Sequence, residues 1–292
     1  MRKIVSPRGM LIASMAIFGT IGPLVRKIPL TSGEIALYRA VLAALLIGGF
    51  LLITGQKIPF RSIKKELLLL LVSGAAIGFN WIFLFEAYRY TAVSVATLAY
   101  YFAPVIVMAV CPILFGERLT PKQILCFVMS TLGIVLITGT RGAGGGGDLV
   151  GILFGLLAAA FYATVVLLNK FIKNVGGIHR TFLQFLAAIA VLLPYVLLTD
   201  GFMPAGLGSG GLGSLLIVGL LHTGLTYCMY FSSLRELSGQ KAAILSYIDP
   251  LVAVFCSVVI LGEKMTVWQI VGGALILGFT LLNEIAPREK SK

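Results

Sequence analysis

Three ionisable side chains lie deep inside long apolar segments of the sequence, where a charge is costly and therefore informative. Asp249 lies next to Pro250 near the centre of one segment, His222 near the centre of the preceding one, and Arg39 within a third. An apolar environment disfavours the ionised carboxyl, so Asp249 is a candidate for loading and releasing a proton or for recognising a cation. His222 is its candidate proton partner, because consecutive segments joined by a short turn are usually adjacent.

Arg39 needs a neutralising group, since a lone charge at this depth costs at least about 2.5–3.5 kcal/mol. Two acidic residues, Glu34 and Glu86, fall on the same half of the membrane. We predict an ion pair between Arg39 and one of them, and the alternative is a substrate carboxylate. Arg39 and Glu86 are therefore candidates for charge recognition.

A second set of candidates consists of aromatic, hydroxyl and amide side chains at similar membrane depth. In segment 211–234 they recur at helical spacing and form one polar stripe on an otherwise apolar helix. The rings could hold an organic solute by stacking, hydrogen bonding or cation–π attraction, although such stripes are also ordinary in helix-packing seams. The predicted substrate-binding residues are Asn80, Trp81, Tyr100, Tyr101, Tyr162, Thr226, Tyr230 and Tyr247.

The composition excludes an ordinary soluble fold. Of the 292 residues, 59% are hydrophobic and 12% charged, whereas an average soluble domain is about 45–50% apolar and about 25% charged. The mean hydropathy is +1.02, and the apolar blocks approach the roughly 20 residues that a helix needs to cross a bilayer. The sequence therefore predicts an all-α integral membrane protein with ten transmembrane helices. Their approximate bounds are 9–26, 32–54, 66–88, 92–115, 121–139, 149–172, 178–199, 211–234, 239–261 and 266–285.

The basic residues predict the orientation of these helices. Ten spans divide the loops into two alternating sets, and most of the 23 Lys and Arg residues fall in the set that includes both termini. Cytoplasmic loops carry such an excess. We therefore expect a multi-pass protein of the cell membrane with cytoplasmic N- and C-termini. The net charge of +12 then reflects orientation in the bilayer rather than binding of nucleic acid.

An internal repeat relates the two halves of the chain. The pattern Tyr-x-x-Pro, then Gly-Glu-[Arg/Lys]-x-Thr-x-x-Gln-Ile, begins at Tyr101 and again at Tyr247, half of the 292-residue chain later. Because each half holds five spans, an odd number, the second copy enters the membrane in the opposite direction. We predict two inverted-topology five-helix repeats, 1–141 and 148–292, joined by a Gly-rich extracellular linker, 142–147, into one membrane domain.

The glutamates of this repeat, Glu117 and Glu263, fall at helix ends on opposite faces of the membrane. Each can cap the helix that follows by accepting hydrogen bonds from its free backbone N–H groups. We predict a structural turn or a gate at these positions rather than an ion site.

The repeated motif resembles that of the EamA-type family of the drug/metabolite transporter superfamily, and the resemblance covers essentially the whole chain. It implies ten helices, cytoplasmic termini, and export or exchange of amino acids, related metabolites or drugs. It does not imply one substrate. The first helix pair of each half matches its counterpart only loosely, so no binding residue is carried over there.

Two function classes remain open from the sequence. Inverted halves favour a secondary transporter, with flipping of a lipid-linked small molecule as a variant, and no phosphate-binding loop is present to couple ATP hydrolysis. The rival is a membrane-embedded enzyme using Asp249 and His222 as acid and base, but no catalytic or metal-binding motif supports it and no cofactor is expected. The expected partners are a small-molecule substrate, the lipid bilayer and a candidate coupling proton. Monomer and homodimer both stay open.

Overall fold

The computed structural model describes residues 6–56, 60–115, 120–139, 146–175, 177–199, 207–234 and 245–285. Residues 142–145 of the predicted linker, and Gly116 and Glu117 of the first Gly-Glu pair, lie outside this part of the chain. The helices, in chain order, are α1 (Pro7–Gly19), α2 (Ile21–Val25), α3 (Ser32–Ile53), α4 (Phe60–Tyr90), α5 (Val93–Tyr100), α6 (Ala103–Phe115), α7 (Pro121–Gly139), α8 (Gly146–Phe171), α9 (Gly177–Thr199), α10 (Ser209–Leu216), a π-helix (Ile217–Leu225), α11 (Thr226–Leu234), α12 (Ile248–Val259) and α13 (Val267–Ile285).

Several of these helices, singly or joined end to end, are long and apolar enough to cross a bilayer. Among the described residues, seven stretches qualify by length and composition: Pro7–Val25, Ser32–Ile53, Ile63–Tyr90, Val93–Val110, Asp148–Phe171, Gly177–Thr199 and Ser209–Tyr230. Shorter apolar helices follow at Pro121–Ile137, Ile248–Val259 and Val267–Leu282. Large apolar side chains are exposed on the outside of the bundle, for example Ile53 at 89% and Leu198 at 87%. Such a surface suits contact with lipid tails.

The Thr-x-x-Gln part of the repeat starts a helix in each half. The Thr120 side chain accepts from the backbone N–H of Gln123, whose side chain accepts from the backbone of Thr120 at 2.8 Å. Thr266 and Gln269 make the same reciprocal pair at the start of α13. These capping boxes satisfy N–H groups that have no partner within the helix. The repeated motif is therefore a pair of equivalent helix starts.

The Tyr-x-x-Pro part of the repeat coincides with a helix boundary in each half. In the first half α5 ends at Tyr100 and α6 begins at Ala103, and in the second half α12 begins at Ile248. Pro104 and Pro250 thus fall in the first turn of a helix, where a missing N–H removes no hydrogen bond. Asp249 therefore lies in the first turn of α12, so a helix begins at Ile248, within the predicted span 239–261.

The last helices of the two halves pack in opposite directions. A Cβ on Gly133 would lie 2.6 Å from the carbonyl oxygen of Gly272 and 2.8 Å from Ile276. A Cβ on Gly272 would lie 2.6 Å from the carbonyl oxygen of Gly133 and 2.8 Å from Ile137. Gly133 thus faces Ile276, and Ile137, one turn further along α7, faces Gly272, one turn earlier along α13. The two helices are therefore antiparallel. Only residues without side chains allow this backbone approach.

Candidate functional site

The helix boundaries at the two Tyr-x-x-Pro motifs meet at a hydrogen bond between Tyr101 and Asp249. The Tyr101 hydroxyl donates to Asp249 Oδ2 at 2.6 Å. Tyr101 lies between α5 and α6, while Asp249 is in the first turn of α12, so the bond joins the first half of the chain to the second. The N-terminus of a helix favours an adjacent negative charge. The structure therefore brings together two of the predicted site residues, from the equivalent place in each repeat.

Three predicted tyrosines form one cluster beside Asp249, which we call the central tyrosine cluster. The Tyr100 ring packs edge-on against Tyr101 at a centroid distance of 5.8 Å and lies tilted against Tyr162 at 5.5 Å. Asn80 is a hydrogen-bond partner of Tyr100, and its own Nδ2 donates to the carbonyl oxygen of Ala158 at 2.7 Å. Asn80 thus joins α4 to α8 and supports this cluster.

A second aromatic group contains residues that the sequence did not identify. Tyr227 contacts Phe18 at 5.1 Å and Phe185 at 5.4 Å between ring centroids, both edge-on. Phe185 also packs against Trp81 at 5.5 Å, and Phe18 against Tyr230 at 6.3 Å. We call these five residues the Trp81 cluster. Phe18, Phe185 and Tyr227 lie on three helices that are distant in sequence, so only the folded structure brings them together.

His222 and Thr226 lie on or directly after the π-helix, whose backbone hydrogen bonds span five residues. The hydroxyls of Thr223 and Thr226 donate to carbonyl oxygens five positions earlier, at 2.8 and 2.7 Å. His222 is 1% exposed, with Nε2 at 2.9 Å from the Thr20 hydroxyl and Nδ1 at 3.3 Å from the carbonyl oxygen of Ile217. Both ring nitrogens are thus engaged away from Asp249. The structure does not join the predicted proton pair.

The predicted stripe on this segment assumed ordinary α-helical phase, and the π-helix alters that phase. Thr226 is fully buried and bonded within its own helix. Its role as a substrate ligand is therefore not supported by its contacts. Tyr247 takes the N-cap position of α12, and Tyr230 belongs to the Trp81 cluster.

Arg39 is buried at 3% exposure among residues of both halves. Its Nε donates to the Thr223 hydroxyl at 2.9 Å. Its guanidinium carbon lies 4.1 Å from the centroid of Trp81 and 5.2 Å from that of Phe85. Cation–π attraction in a dry site contributes about 2 kcal/mol. Two aromatic faces and one hydroxyl therefore surround the charge.

The predicted ion pair of Arg39 with Glu34 or Glu86 is not formed in the described part of the chain. Glu34 forms a capping box with Thr31 at the start of α3, and its Oε2 accepts from the Thr31 backbone at 3.0 Å. Glu86 pairs instead with Arg89 on the same helix, at 3.2 Å. Each acid is bonded by a partner three residues away in the sequence, which helix geometry places nearby. Glu86 accordingly forms no ion pair with Arg39.

Glu263 forms an extensive contact between the halves, which we call the Glu263 cluster. Its two carboxylate oxygens accept from the backbone N–H of Val93 at 2.9 and 3.1 Å. Arg26 pairs with the same carboxylate at 2.8 Å, and the Ser257 hydroxyl donates to it. Glu263 therefore caps α5, in the opposite half. It does not cap the following helix α13, which has its own capping box.

Gly262 provides the backbone turn that precedes this carboxylate. Its φ of +66° lies in the left-handed region that favours glycine. Arg26 also donates to the carbonyl oxygens of Tyr88 and Thr91, at 3.2 and 2.7 Å. The cluster thus also holds the chain where α4 ends and α5 begins. The Gly-Glu motif predicted a turn, but nothing in the sequence indicated Arg26 or α5 as partners of Glu263.

A cavity of 720 Å³ lies between α2, α3 and the end of α4, beside the Glu263 cluster. Its wall includes Arg26, Glu34 and Phe85. Phe85 also contacts Arg39, so this ring is shared by the cavity wall and the surroundings of the buried cation. Among the described residues, no group of three or more His, Cys, Asp or Glu side chains is placed to hold a metal ion.

Comparison with known proteins now identifies the family. The model of the EamA-like transporter family matches residues 8–139 and 149–284. The chain belongs to this family. The two matched ranges correspond to the two copies of the repeated motif, and they make the chain a multi-pass membrane protein with an all-α fold.

Relatives across bacteria and archaea support this membership. An uncharacterized transporter, YxxF of Bacillus subtilis, is 32% identical over 96% of this chain and 90% of its own. Protein PecM of Dickeya dadantii is 27% identical over 83% and 81% of the two chains. A solved crystal structure matches with a TM-score of 0.65 at 15% identity, covering 93% of this chain and 94% of its own, which supports the fold. This EamA-like protein is thus a membrane transporter, and the family gives no support to the alternative of an enzyme.

Proposed function

We propose that this EamA-like protein is a secondary active transporter that moves small organic solutes by alternating access. It does so with ten spans in two inverted halves, residues 1–141 and 148–292, and with both termini in the cytoplasm. The antiparallel packing of α7 and α13 supports the inversion, since equivalent helices of inverted repeats run in opposite directions. The paired capping boxes and the paired Tyr-x-x-Pro boundaries support the equivalence of the halves.

The substrate site lies, in this proposal, between the central tyrosine cluster and the Trp81 cluster. The observation that carries it is the hydrogen bond between Tyr101 and Asp249, at the boundaries where each half interrupts a helix. Transporters of inverted-repeat architecture bind substrates near such interruptions, because unpaired backbone groups and helix ends are available there. Aromatic rings on both sides provide stacking surfaces for an organic body. The solutes are amino acids, amines or drug-like metabolites, exported or exchanged.

Asp249 is the coupling or cation-recognising group in this proposal. One carboxylate oxygen is bound by Tyr101, and no basic side chain lies within 4.0 Å of it among the described residues. An acid at membrane depth without a cationic partner can take a proton or hold the amino group of a solute. His222 is engaged by Thr20 and is not needed for either role.

Transport by purified protein in liposomes tests this proposal. The solute for this assay is chosen by a screen of amino acids, amines, nucleosides and cationic drugs. It is the compound that most raises the thermal unfolding midpoint of the purified protein, since a ligand that binds the folded state stabilises that state. Counterflow of that solute needs no net proton movement, so it is measured beside proton-driven uptake for wild type and Asp249→Asn. A coupling acid predicts retained counterflow and lost gradient-driven uptake, whereas a cation-binding acid predicts loss of both.

Asp148→Asn serves as the matched control. Asp148 accepts from the Thr91 hydroxyl at 2.7 Å, in the first turn of α8, so the control removes an acid at a helix start that lies outside the proposed site. Both transport modes should survive in this variant. Wild-type behaviour of Asp249→Asn in both assays would contradict the role of the acid. Chemical conversion of the solute instead of its movement would contradict transport itself.

A further inference from the structure

Arg39 is a buried cation with no acidic neighbour in the described part of the chain. No carboxylate oxygen lies within 4.0 Å of it there. The six acids that the structure describes with their side chains are bonded elsewhere. These are Glu34 with Thr31, Glu66 with residues 173–175, Glu86 with Arg89, Asp148 with Thr91, Asp249 with Tyr101, and Glu263 with Arg26 and Val93. A buried charge that none of these six acids compensates is expensive, so the site favours binding of an anion.

The guanidinium group is covered on its faces but not at its edge. The rings of Trp81 and Phe85 contact the guanidinium group, and the hydrogen bond to Thr223 uses only Nε. A guanidinium carries five N–H donors in a planar fork, which leaves the four on Nη1 and Nη2. None of these four has a protein acceptor among the described residues. The remaining fork matches the two oxygens of a carboxylate.

Arg39 and the proposed site are parts of one region. Tyr88 and Tyr227 each lie within electrostatic range of both Arg39 and Asp249. Tyr227 is also bonded to Trp81 and packed against Phe18. A solute lying along the Trp81 cluster can therefore reach Arg39 with one end.

We infer that Arg39 is an anion subsite that binds the carboxylate of the transported solute, whose apolar or aromatic body lies along the Trp81 cluster. This inference rests on the proposed function and narrows its substrates to solutes that carry a carboxylate, amino acids included. The Thr223 hydroxyl holds Nε and thereby orients the fork. Simple amines and permanently cationic drugs are not substrates of this site.

Binding to the purified wild-type protein, without any transport, tests the inference. The probes share one phenyl body: 3-phenylpropanoate, its neutral amide 3-phenylpropanamide, and 2-phenylethylamine. We expect only the carboxylate to raise the thermal unfolding midpoint, with an affinity more than about tenfold above that of the amide, since a charge pair in a dry site provides at least that factor. Sodium chloride at equal ionic strength should give no such rise.

Variants assign the binding to Arg39. Arg39→Gln should lose the tenfold preference for the carboxylate, whereas Arg89→Gln, which removes an exposed arginine paired with Glu86, should keep it. Without ligand, Arg39→Gln should unfold at or above the wild-type temperature, because it removes a charge that no carboxylate of the described residues balances. A purely structural arginine predicts a lower temperature instead. Should Arg39→Gln fail to fold, Thr223→Val, which removes the acceptor of Nε together with a bond to the Val218 carbonyl oxygen, should weaken carboxylate binding.

Each outcome bears on the inference separately from the proposed function. Equal binding of acid and amide, stabilisation by chloride alone, tighter binding of the amine, or no binding of the carboxylate to wild type overturns the subsite. Carboxylate binding that depends on Arg39 but yields no flux in liposomes leaves the subsite standing and contradicts transport of that solute. Flux of 2-phenylethylamine that does not depend on Arg39 supports transport and overturns the subsite.

Discussion

The Glu263 cluster and the region that contains Arg39 and Asp249 satisfy their charged groups in opposite ways. In the Glu263 cluster one carboxylate has an arginine, a serine and a backbone N–H as partners, and its arginine also binds two carbonyl oxygens. In the other region the cation has aromatic faces and one hydroxyl, and the acid has one tyrosine. A fully bonded charge stabilises the fold. A charge with unused donors or acceptors retains the capacity to bind something else.

Glu263→Gln should give the largest loss of stability. It removes the charge opposite Arg26 and weakens the cap on α5, so we expect the free energy of unfolding to fall by about 2–4 kcal/mol. Thermal unfolding in detergent measures the loss. Glu86→Gln, which breaks the more exposed pair with Arg89 on one helix, is the control and should change stability by less than about 0.5 kcal/mol. Equal effects of the two variants would remove the distinction between a bonded cluster and a surface pair.

Gly272→Ala should follow in size. The added Cβ would lie 2.6 Å from the carbonyl oxygen of Gly133, so α7 and α13 must separate, at a cost of about 1–3 kcal/mol. Gly213→Ala in α10 is the matched control, since nothing lies within 4 Å of its Cβ position. Alanine is the better helix former there, and this variant should equal or exceed wild-type stability. A neutral Gly272→Ala would mean that the helix pair is not closely packed.

Tyr101→Phe should have the smallest effect on stability and a large effect on transport. The variant removes one hydrogen bond to Asp249 while keeping the ring, so stability should fall by about 1 kcal/mol. Flux in liposomes should fall further than stability accounts for, because the acid loses the group that orients it. Tyr90→Phe, at a ring that is 48% exposed, controls for loss of a hydroxyl. Unchanged flux in Tyr101→Phe would place the working acid elsewhere.

The sequence predicted the parts of this fold that depend on short stretches of chain. Apolar blocks located the helices, and the repeated Thr-x-x-Gln marked two helix starts, because capping needs only residues three positions apart. The repeat placed Tyr101 and Asp249 in the two copies of one motif, but their contact was not predicted. The position of Arg39 within an apolar block correctly predicted that this residue is buried.

The failures involve backbone geometry and contacts between distant segments. His222 and Thr226 were assigned a common face from α-helical phase, but they lie on or next to a π-helix that changes the phase. Glu263 was expected to cap its neighbour in sequence, yet its partners Arg26 and Val93 come from the other half. A single sequence does not specify which distant segments touch, so these pairings had no local signal.

The π-helix also constrains how the chain can vary in length. A π-helix accommodates extra backbone within its wider turns, and loss of a single residue between Ile217 and Leu225 would favour a return to α geometry. Because the wider turns absorb the extra residue, the same deletion would leave the segment from Thr226 onward close to its present face of the helix. Tyr227 would then stay beside Phe18 and Phe185, while the backbone around His222 and Thr223 would tighten. A one-residue gap at this position in a related sequence would therefore mark a change confined to the residues that contact Thr20 and Arg39, within a conserved architecture.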